Sequence, residues 1–249
     1  MTSLDLSGRT VLVTGGLGAL GSGIVTRLAD LGATMVVNDV QPEAPSGARF
    51  AYVRGDAGVA GDAERILNEA TASAGGMPDT VCLHAGMVVS SPLLEETPGD
   101  ILRTFETNVF AAVSLAQAAS RRWIATETPG LLLFTASWVA EVPWPEIASY
   151  RASKAALVAY AKSFARDLAP YGIRANIIAP GIVAAGMAQK QWDTEPDYRA
   201  RASRAIPLGE LQTIDSVADT FAYAVSDLSR YLTGSVILAD GGASLYPMD

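Results

Sequence analysis

The sequence contains few of the residues from which disulfide frameworks and metal centres are built. Its 249 residues include one cysteine, Cys82, and one histidine, His84. A single cysteine excludes an internal disulfide, and a single histidine excludes a histidine-rich metal site, so we predict no metal. No apolar run approaches the ~20 residues that a membrane span needs. Cations are also sparse, and their longest run is the pair Arg121 and Arg122.

The charge balance and the amino terminus indicate where the protein works and what it binds. A formal net charge of -8 without basic clusters argues against nucleic acid and anionic membrane surfaces as partners. Residues 1–5 lack the basic and apolar regions of a signal peptide, so we expect a cytoplasmic protein. The chain is 49% hydrophobic and 18% charged, which is typical of a folded globular protein.

Short apolar runs alternate with helical patterns along the chain. Runs rich in β-branched and aliphatic residues predict strands at 9–14, 34–39, 50–54, 79–83, 130–135, 174–179 and 235–239. Helical spacing predicts helices at 24–31, 62–74, 97–122, 149–168 and 215–227. Such alternation is typical of a parallel sheet that is covered on both faces. We therefore predict one α/β domain over residues 1–249, built on a doubly wound parallel sheet of about seven strands.

A glycine-rich turn separates the first predicted strand from the first helix. Residues 14–21 read TGGLGALG. A strand, a glycine turn and a helix N-terminus together bring backbone N–H groups against a phosphate, as dinucleotide binding requires. The alternative is an ordinary tight turn, since glycines also serve there.

The second predicted strand ends in Asp39, which lies 18 residues beyond Gly21. This spacing is close to the ~20 residues expected for a carboxylate that accepts hydrogen bonds from an adenosine ribose. A carboxylate there would repel a 2′-phosphate, and residues 15–23 contain no Arg or Lys. We therefore predict NAD in preference to NADP. The alternative is a solvated aspartate at a strand end.

The helical segment 149–168 carries Tyr150 and Lys154, which stand four residues apart. Side chains at this spacing share one helix face, so the ammonium lies beside the phenol and favours its phenolate. A phenolate is a usable general base near neutral pH. Ser137 follows the predicted strand 130–135 and places a hydroxyl near this pair. The alternative is that both side chains lie at the polar edge of an amphipathic helix and have no catalytic role.

With these residues placed, the sequence resembles the classical short-chain dehydrogenase/reductase family from about residue 6 to residue 242. The glycine turn resembles the family's Thr-Gly-x-x-x-Gly-x-Gly, and Asp56 matches its adenine-contacting Asp. Residues 231–242 resemble its carboxyl-terminal signature. The residues that match its catalytic groups are Asn108, Ser137, Tyr150 and Lys154.

The resemblance implies a Rossmann-like fold and a nicotinamide dinucleotide site. The residues that it assigns to this site are Gly15, Leu17, Gly18, Ala19, Leu20, Gly21, Asp39, Val40, Asp56, Ala57, His84, Ala85, Gly86, Tyr150, Lys154, Pro180, Gly181 and Ile182.

Three positions depart from the family pattern. Ala19 replaces the second turn glycine, and its methyl group could crowd the pyrophosphate. Leu83 and His84 replace the Asn-Asn of Asn-Asn-Ala-Gly, which puts expected sheet-supporting hydrogen bonds in doubt. His84 is a substitute hydrogen-bonding group, a solvated side chain or a substrate contact, and we favour the first. Ala185 replaces a Thr that often holds the carboxamide, so the backbone of Ile182 would take that role.

The resemblance implies hydride transfer between a secondary alcohol and NAD. Tyr150 would act as general base in oxidation and as general acid in reduction, and Ser137 would hold the reacting oxygen. Lys154 would lower the pKa of Tyr150 and bind the nicotinamide ribose, while Asn108 would seat a water for proton relay. The alternatives are an NADP-dependent carbonyl reductase and a dinucleotide-binding regulator without catalysis.

The segment 184–206 is predicted to form a mobile flap over the substrate. Aromatic residues mixed with Gln, Glu and Ser suit a polyol, a sugar or a mid-sized hydroxy compound, and the tryptophans could instead only pack the flap. No basic cluster marks this segment, which weighs against acyl-carrier protein. The residues predicted to contact substrate are Val88, Ser137, Val139, Trp144, Met187 and Trp192.

Oligomerisation is implied mainly by the resemblance, because members of the family are usually tetramers or dimers. Segments 109–119 and 155–161 are apolar on more than one face, as helices buried on two sides would be. A wide stripe facing the core would look similar. We predict a homotetramer or homodimer.

Overall fold

The computed structural model describes residues 4–245 and has a parallel β-sheet at its centre. Across these residues the sheet has seven strands in the order β3-β2-β1-β4-β5-β6-β7. The predicted fold class is confirmed, and each strand end lies within one residue of its predicted position. The strands are β1 (Thr10–Thr14), β2 (Thr34–Asp39), β3 (Ala51–Arg54), β4 (Thr80–Leu83), β5 (Gly130–Thr135), β6 (Ile173–Pro180) and β7 (Val236–Ala239).

Helices connect the strands. They are α1 (Ala19–Asp30), α2 (Asp62–Ala74), α3 (Pro98–Phe105), α4 (Ala111–Ala125), α5 (Ala148–Leu168), α6 (Gly186–Thr194), α7 (Pro196–Ala205) and α8 (Ile214–Val225). Short 3₁₀ turns occur at Trp138–Ala140, Ala169–Tyr171 and Asp227–Ser229. Within residues 4–245, no helix combines the length and apolar character that a bilayer crossing requires.

Both faces of the sheet are covered, which makes the sheet doubly wound. Helices α2, α4 and α5 pack on one face through side chains such as Ile66, Leu115 and Leu157. Helices α1 and α8 pack on the other face, where Leu28 and Phe221 are wholly buried. Burying such a side chain contributes roughly 1.5–3 kcal/mol, so these two layers hold the strand ends in place. The strand order reverses between β1 and β4, and a ligand crevice is expected outside the carboxyl ends of these strands.

The long helix predicted at 97–122 is interrupted in the structure. Thr97 caps its start, because the Thr97 hydroxyl accepts a hydrogen bond from the Asp100 N–H at 3.1 Å. Between α3 and α4 the chain forms a π-helical turn, Glu106–Phe110, which contains the buried Asn108. π-turns are rare and often occur at functional sites. The helix prediction was therefore wrong in this turn, where side-chain contacts override local spacing.

The segment 184–206, predicted only as a flap, contains α6 and α7. Both helices contribute to a third apolar cluster, in which Tyr198 and Ala202 pack against Trp138 and Ile182. Pro196 begins α7, a position that tolerates proline because the N–H there has no intrahelical partner. The segment thus lies over the carboxyl ends of the strands, and its mobility stays a prediction.

Candidate active site

A cleft of about 550 Å³ lies at the carboxyl ends of β1, β2 and β4. The glycine turn forms one wall, and Gly15 has a φ of +66° in it. A Cβ atom on Gly15 would lie 2.8 Å from the Ala85 Cα, so glycine is required where β1 and β4 approach each other. The predicted cofactor residues that line the cleft are Gly15, Gly18, Ala19, Leu20, Gly21, Asp39, Val40, Asp56, Ala57, His84, Ala85 and Gly86.

Two backbone hydrogen bonds hold the Asp39 carboxylate in this cleft. Its Oδ2 accepts from the Leu17 N–H at 3.1 Å, and its Oδ1 accepts from the Gln41 N–H at 3.2 Å. Leu17 therefore acts through its backbone and does not line the cleft itself. Each carboxylate oxygen has a further lone pair, so Asp39 can also accept hydrogen bonds from ribose hydroxyls.

Thr14 joins the ends of β1 and β4, where the sequence left the supporting hydrogen bonds in doubt. Its Oγ1 accepts from the backbone N–H groups of His84 and Ala85, both at 3.0 Å. A buried hydroxyl thus joins the two strand ends where Leu83 and His84 replace the Asn-Asn of the family pattern. Sequence analysis missed this role, although Thr14 stands directly before the glycine turn.

Ser137, Tyr150 and Lys154 line one inner cavity of about 210 Å³. The Lys154 Nζ donates to the Thr135 carbonyl at 2.8 Å and lies 5.5 Å from the Tyr150 ring centroid. The end of β5 thus positions the ammonium, a contact that sequence analysis missed. Pro180 and Gly181 line the same cavity, whereas Ile182 lines the outer one described below.

The inner cavity adjoins the cleft, because Leu20, His84, Gly86 and Met87 line both. A Cβ atom on Gly86 would lie 3.3 Å from the Asn108 Oδ1 and 3.3 Å from the Lys154 Nζ. A molecule that spans the two spaces therefore passes close to both side chains.

Asn108 links the loop after β4 to α5. Its Nδ2 donates to the Met87 carbonyl and to the Ser153 Oγ, both at 2.9 Å, and its Oδ1 accepts from the Met87 N–H at 2.7 Å. The Ser153 Oγ in turn donates to the Tyr150 carbonyl at 2.7 Å. These contacts join Asn108 to the loop after β4 and to the start of α5, and the predicted water relay stays a prediction.

Burial determines the electrostatics of the inner cavity. Burial raises the pKa of Tyr150, and the Ser137 hydroxyl acts in the opposite direction. The predicted lowering of this pKa by Lys154 stays a prediction. Burial also lowers the pKa of Lys154 to about 8, which leaves its ammonium mostly charged at neutral pH.

His84 occupies a substitute hydrogen-bonding position. Its Nδ1 lies 3.2 Å from the Thr135 Oγ1, and its ring contacts the edge of Phe221 at 6.1 Å between centroids. Burial, with a smaller contribution from Lys154, lowers the pKa of His84 to about 4. The imidazole is therefore neutral at pH 7 and links β4 to β5.

We expect His84 to make the protein sensitive to acid. Its folded-state pKa of about 4 lies below its ordinary value of 6.5, so the unfolded chain binds the proton more tightly. The stability that the neutral imidazole contributes is complete above about pH 6.5 and is lost as pH falls toward the folded-state pKa of about 4. Near pH 5 the loss in the free energy of unfolding is about 2 kcal/mol. Urea unfolding near pH 7.5 and pH 5 should show this loss in the parent and not in His84→Gln. An equal loss in both proteins would contradict the assignment.

An outer cavity of about 400 Å³ lies between the inner cavity and the flap. Of the predicted substrate residues, Trp192 does not line it; Trp192 packs on the outside of the third apolar cluster, and its carbonyl accepts from the Arg199 Nε at 2.7 Å. Ile147 also lines the outer cavity and was not predicted as a substrate contact, although it stands just before α5. The predicted residues that line it are Val88, Ser137, Val139, Trp144 and Met187.

The sequence and the fold match known proteins over nearly the whole chain. A family model described as Enoyl-(Acyl carrier protein) reductase matches residues 16–244. The 3beta-hydroxysteroid dehydrogenase 1 of Eggerthella lenta is 30% identical over 253 residues, which cover 98% of this chain and 96% of that protein.

Solved structures agree with this match. A short-chain type dehydrogenase/reductase from Mycobacterium marinum is 29% identical, with a TM-score of 0.89 and 98% of each chain covered. A gluconate 5-dehydrogenase from Burkholderia cenocepacia, in complex with NADP and tartrate, is 25% identical, with a TM-score of 0.90 and 98% of each chain covered. These relatives are oxidoreductases, and those named for a substrate are named for hydroxy compounds.

Proposed function

The chain belongs to the short-chain dehydrogenase/reductase family, and from this premise we propose that it oxidises a secondary alcohol with NAD and reduces the ketone in reverse. The convergence of Ser137, Tyr150 and Lys154 on one cavity that opens into the dinucleotide cleft carries the proposal. The family and the named relatives support an oxidoreductase that acts on hydroxy compounds with a nicotinamide dinucleotide.

The residues of the cleft fit a dinucleotide. The glycine turn leaves backbone N–H groups uncovered at the start of α1, where a pyrophosphate would bind. Asp39 would hold the adenosine ribose, Asp56 and Ala57 the adenine, and Lys154 the nicotinamide ribose. Bound NAD would supply the hydride acceptor and a cationic ring.

Tyr150 and Ser137 would carry the proton chemistry. In oxidation the carbinol C–H bond breaks with its electron pair, and the hydroxyl proton passes to the Tyr150 phenolate. The products are a ketone, the reduced dinucleotide and a proton. Ser137 would hold the reacting oxygen beside the phenol. The Lys154 ammonium would favour the phenolate, and the cationic nicotinamide ring of bound NAD would add to this effect.

We test this function by following NADH formation with the purified protein and a panel of secondary alcohols, repeated with NADP. Oxidation with NAD supports the proposal. Binding of NAD without turnover of any alcohol in the panel would contradict it and favour a regulator without catalysis. The retained Asn108, Ser137, Tyr150 and Lys154 speak against that outcome.

An NADP-dependent reductase is the second candidate, because the Burkholderia relative was solved with NADP. We expect Asp39→Asn to decide between the two. Loss of the carboxylate should weaken NAD binding and relieve repulsion of a 2′-phosphate, so the NAD to NADP affinity ratio should fall by about tenfold to hundredfold. Calorimetric titration measures both affinities. Glu43→Gln, an exposed charge in the loop after β2, is the control, and a parent that prefers NADP would sink the NAD proposal.

We also propose a homotetramer or homodimer. Leu102, Phe110 and Tyr160 expose apolar surface on α3, on the π-helical turn and on α5, and these three elements contact one another. Light scattering of the purified protein tests this, and a monomeric mass would refute it.

A further inference from the structure

The outer cavity is walled by aromatic and aliphatic side chains. The ring centroids of Trp138 and Trp144 lie 5.4 Å apart, and those of Trp144 and Tyr198 lie 6.1 Å apart, each pair with an interplanar angle of 73°. Val139 and Ile147 also line it. Edge-to-face contacts of this kind are favourable for aromatic pairs, so the rings form a defined wall.

The Arg201 guanidinium packs against two of these rings. The Arg201 guanidinium lies 5.3 Å from the Trp144 ring centroid and 5.8 Å from that of Tyr198, and Arg201 itself does not line the cavity. Cation–π contacts are favourable, so Arg201 ties the Trp144 ring to α7, which also carries Tyr198. The outer cavity is therefore shaped before a substrate enters.

Most side chains that line this cavity are apolar, and its polar side-chain groups belong to Ser137, Tyr150, Gln191, Tyr198 and the two tryptophans. Ser137 and Tyr150 mark its inner end, where the reacting oxygen would lie. Among the described residues that line it, none carries a charged side chain, and Gln191 supplies the one carboxamide. A sugar or polyol would bury hydroxyl groups against these apolar walls. Each hydroxyl left without a partner costs about 1–3 kcal/mol, or about tenfold to hundredfold in affinity.

We propose that the substrate is a neutral cyclic secondary alcohol, or its ketone, whose hydrocarbon ring skeleton carries no second hydroxyl group. The proposal rests on the proposed function and names the substrate class of that same site. Its single oxygen lies against Ser137 and Tyr150, and its ring packs on Trp144. Among the polyol, the sugar and the mid-sized hydroxy compound that the sequence allowed, the inference favours the last.

The first test compares 1-tetralol, a bicyclic secondary alcohol, with sorbitol, glucose and gluconate. We expect kcat/KM for 1-tetralol to exceed that of each polyhydroxy compound by about hundredfold or more. Higher kcat/KM for a polyhydroxy compound would overturn the inference.

Variants then test the wall itself. Trp144→Ala should raise KM for 1-tetralol by about tenfold, because it removes the ring on which the substrate packs. Trp192→Ala is the matched control, since this tryptophan lies on the flap but outside the cavity lining. Gln191→Leu should lower KM for 1-tetralol, whereas a polyol site would lose affinity. Equal effects of the two tryptophan variants would contradict the proposal.

Binding separates failure of this inference from failure of the proposed function. Calorimetric titration with 1-tetralone needs no turnover. If no alcohol is oxidised with NAD or NADP, the proposed function fails, yet 1-tetralone binding that Trp144→Ala weakens would still support the apolar ring site. Absence of both alcohol turnover and 1-tetralone binding would overturn the inference of an apolar ring site.

Discussion

Replacing Tyr150 with phenylalanine should lower kcat by about 10³-fold and leave NAD affinity within about twofold. The change removes one oxygen atom and keeps the ring that lines the inner cavity. Removal of a positioned general acid–base group costs about 10²–10⁴ in rate, and the phenol is the group that we propose exchanges a proton with substrate. The variant keeps the contacts that Ser137 and Lys154 make with other residues, such as the hydrogen bond from the Lys154 Nζ to the Thr135 carbonyl.

The raised pKa of Tyr150 adds a second signature to this prediction. Oxidation needs the phenolate, so its rate in the parent enzyme should rise with pH, because burial shifts the phenol away from ionisation at neutral pH. The residual activity of Tyr150→Phe should lack that rise. Steady-state kinetics across pH measures both effects.

Tyr160→Phe provides the control on the same helix. Tyr160 is 44% exposed on α5, so loss of its hydroxyl should leave kcat unchanged. Turnover by Tyr150→Phe within about tenfold of the parent would refute the assignment of Tyr150 as the proton-transfer group.

Gly21→Ala should be the most damaging substitution of a single small residue. A Cβ atom on Gly21 would lie 2.2 Å from the Gly15 carbonyl oxygen and 2.9 Å from the Gly16 Cα. Both are backbone atoms of the turn, so no side-chain rotation relieves the overlap. Helix α1 would have to move away from β1, and the N–H groups that face the pyrophosphate would move with it.

We expect Gly21→Ala to lower the free energy of unfolding by about 3 kcal/mol and to weaken NAD binding by about tenfold or more. Urea unfolding and calorimetric titration measure these effects. Gly23 lies two residues further along α1, and its added Cβ would lie 2.2 Å from the Ile214 Cγ2. This overlap is with a side chain and not with the backbone of the turn, so Gly23→Ala should cost less stability.

Gly76→Ala is the neutral reference, because nothing lies within 4 Å of its added Cβ. Stability and NAD affinity of Gly21→Ala equal to those of Gly76→Ala would show that the turn tolerates a side chain. That result would contradict the close packing of α1 against the turn after β1.

The predictable parts of the active site are those that depend on local pattern. Tyr150 and Lys154 share a face because they stand four residues apart on a helix. Gly15, Asp39 and Ser137 follow strand ends, and parallel strands bring their carboxyl ends to one edge of a sheet. These relations need only the helix period and the strand assignment.

Other parts depend on contacts between residues far apart in sequence. The Thr14 hydroxyl reaches the backbone of His84 and Ala85, and the Thr135 carbonyl reaches Lys154. The π-helical turn at Asn108 also reflects such contacts, because Met87 and Ser153 hold its amide. No local pattern encodes these distances.

The sequence by itself determined the order of strands and helices along the chain, the glycine turn, and the four-residue spacing of Tyr150 and Lys154. Each of these follows from periodicity and residue type. Only the tertiary structure decided the direction of the pKa shift of Tyr150, because burial depends on everything packed around the phenol. It likewise placed Trp144 in the lining of the outer cavity and Trp192 outside it, although both stand in segments that flank this cavity. Which face of a flap helix meets a cavity is set by packing against the rest of the chain.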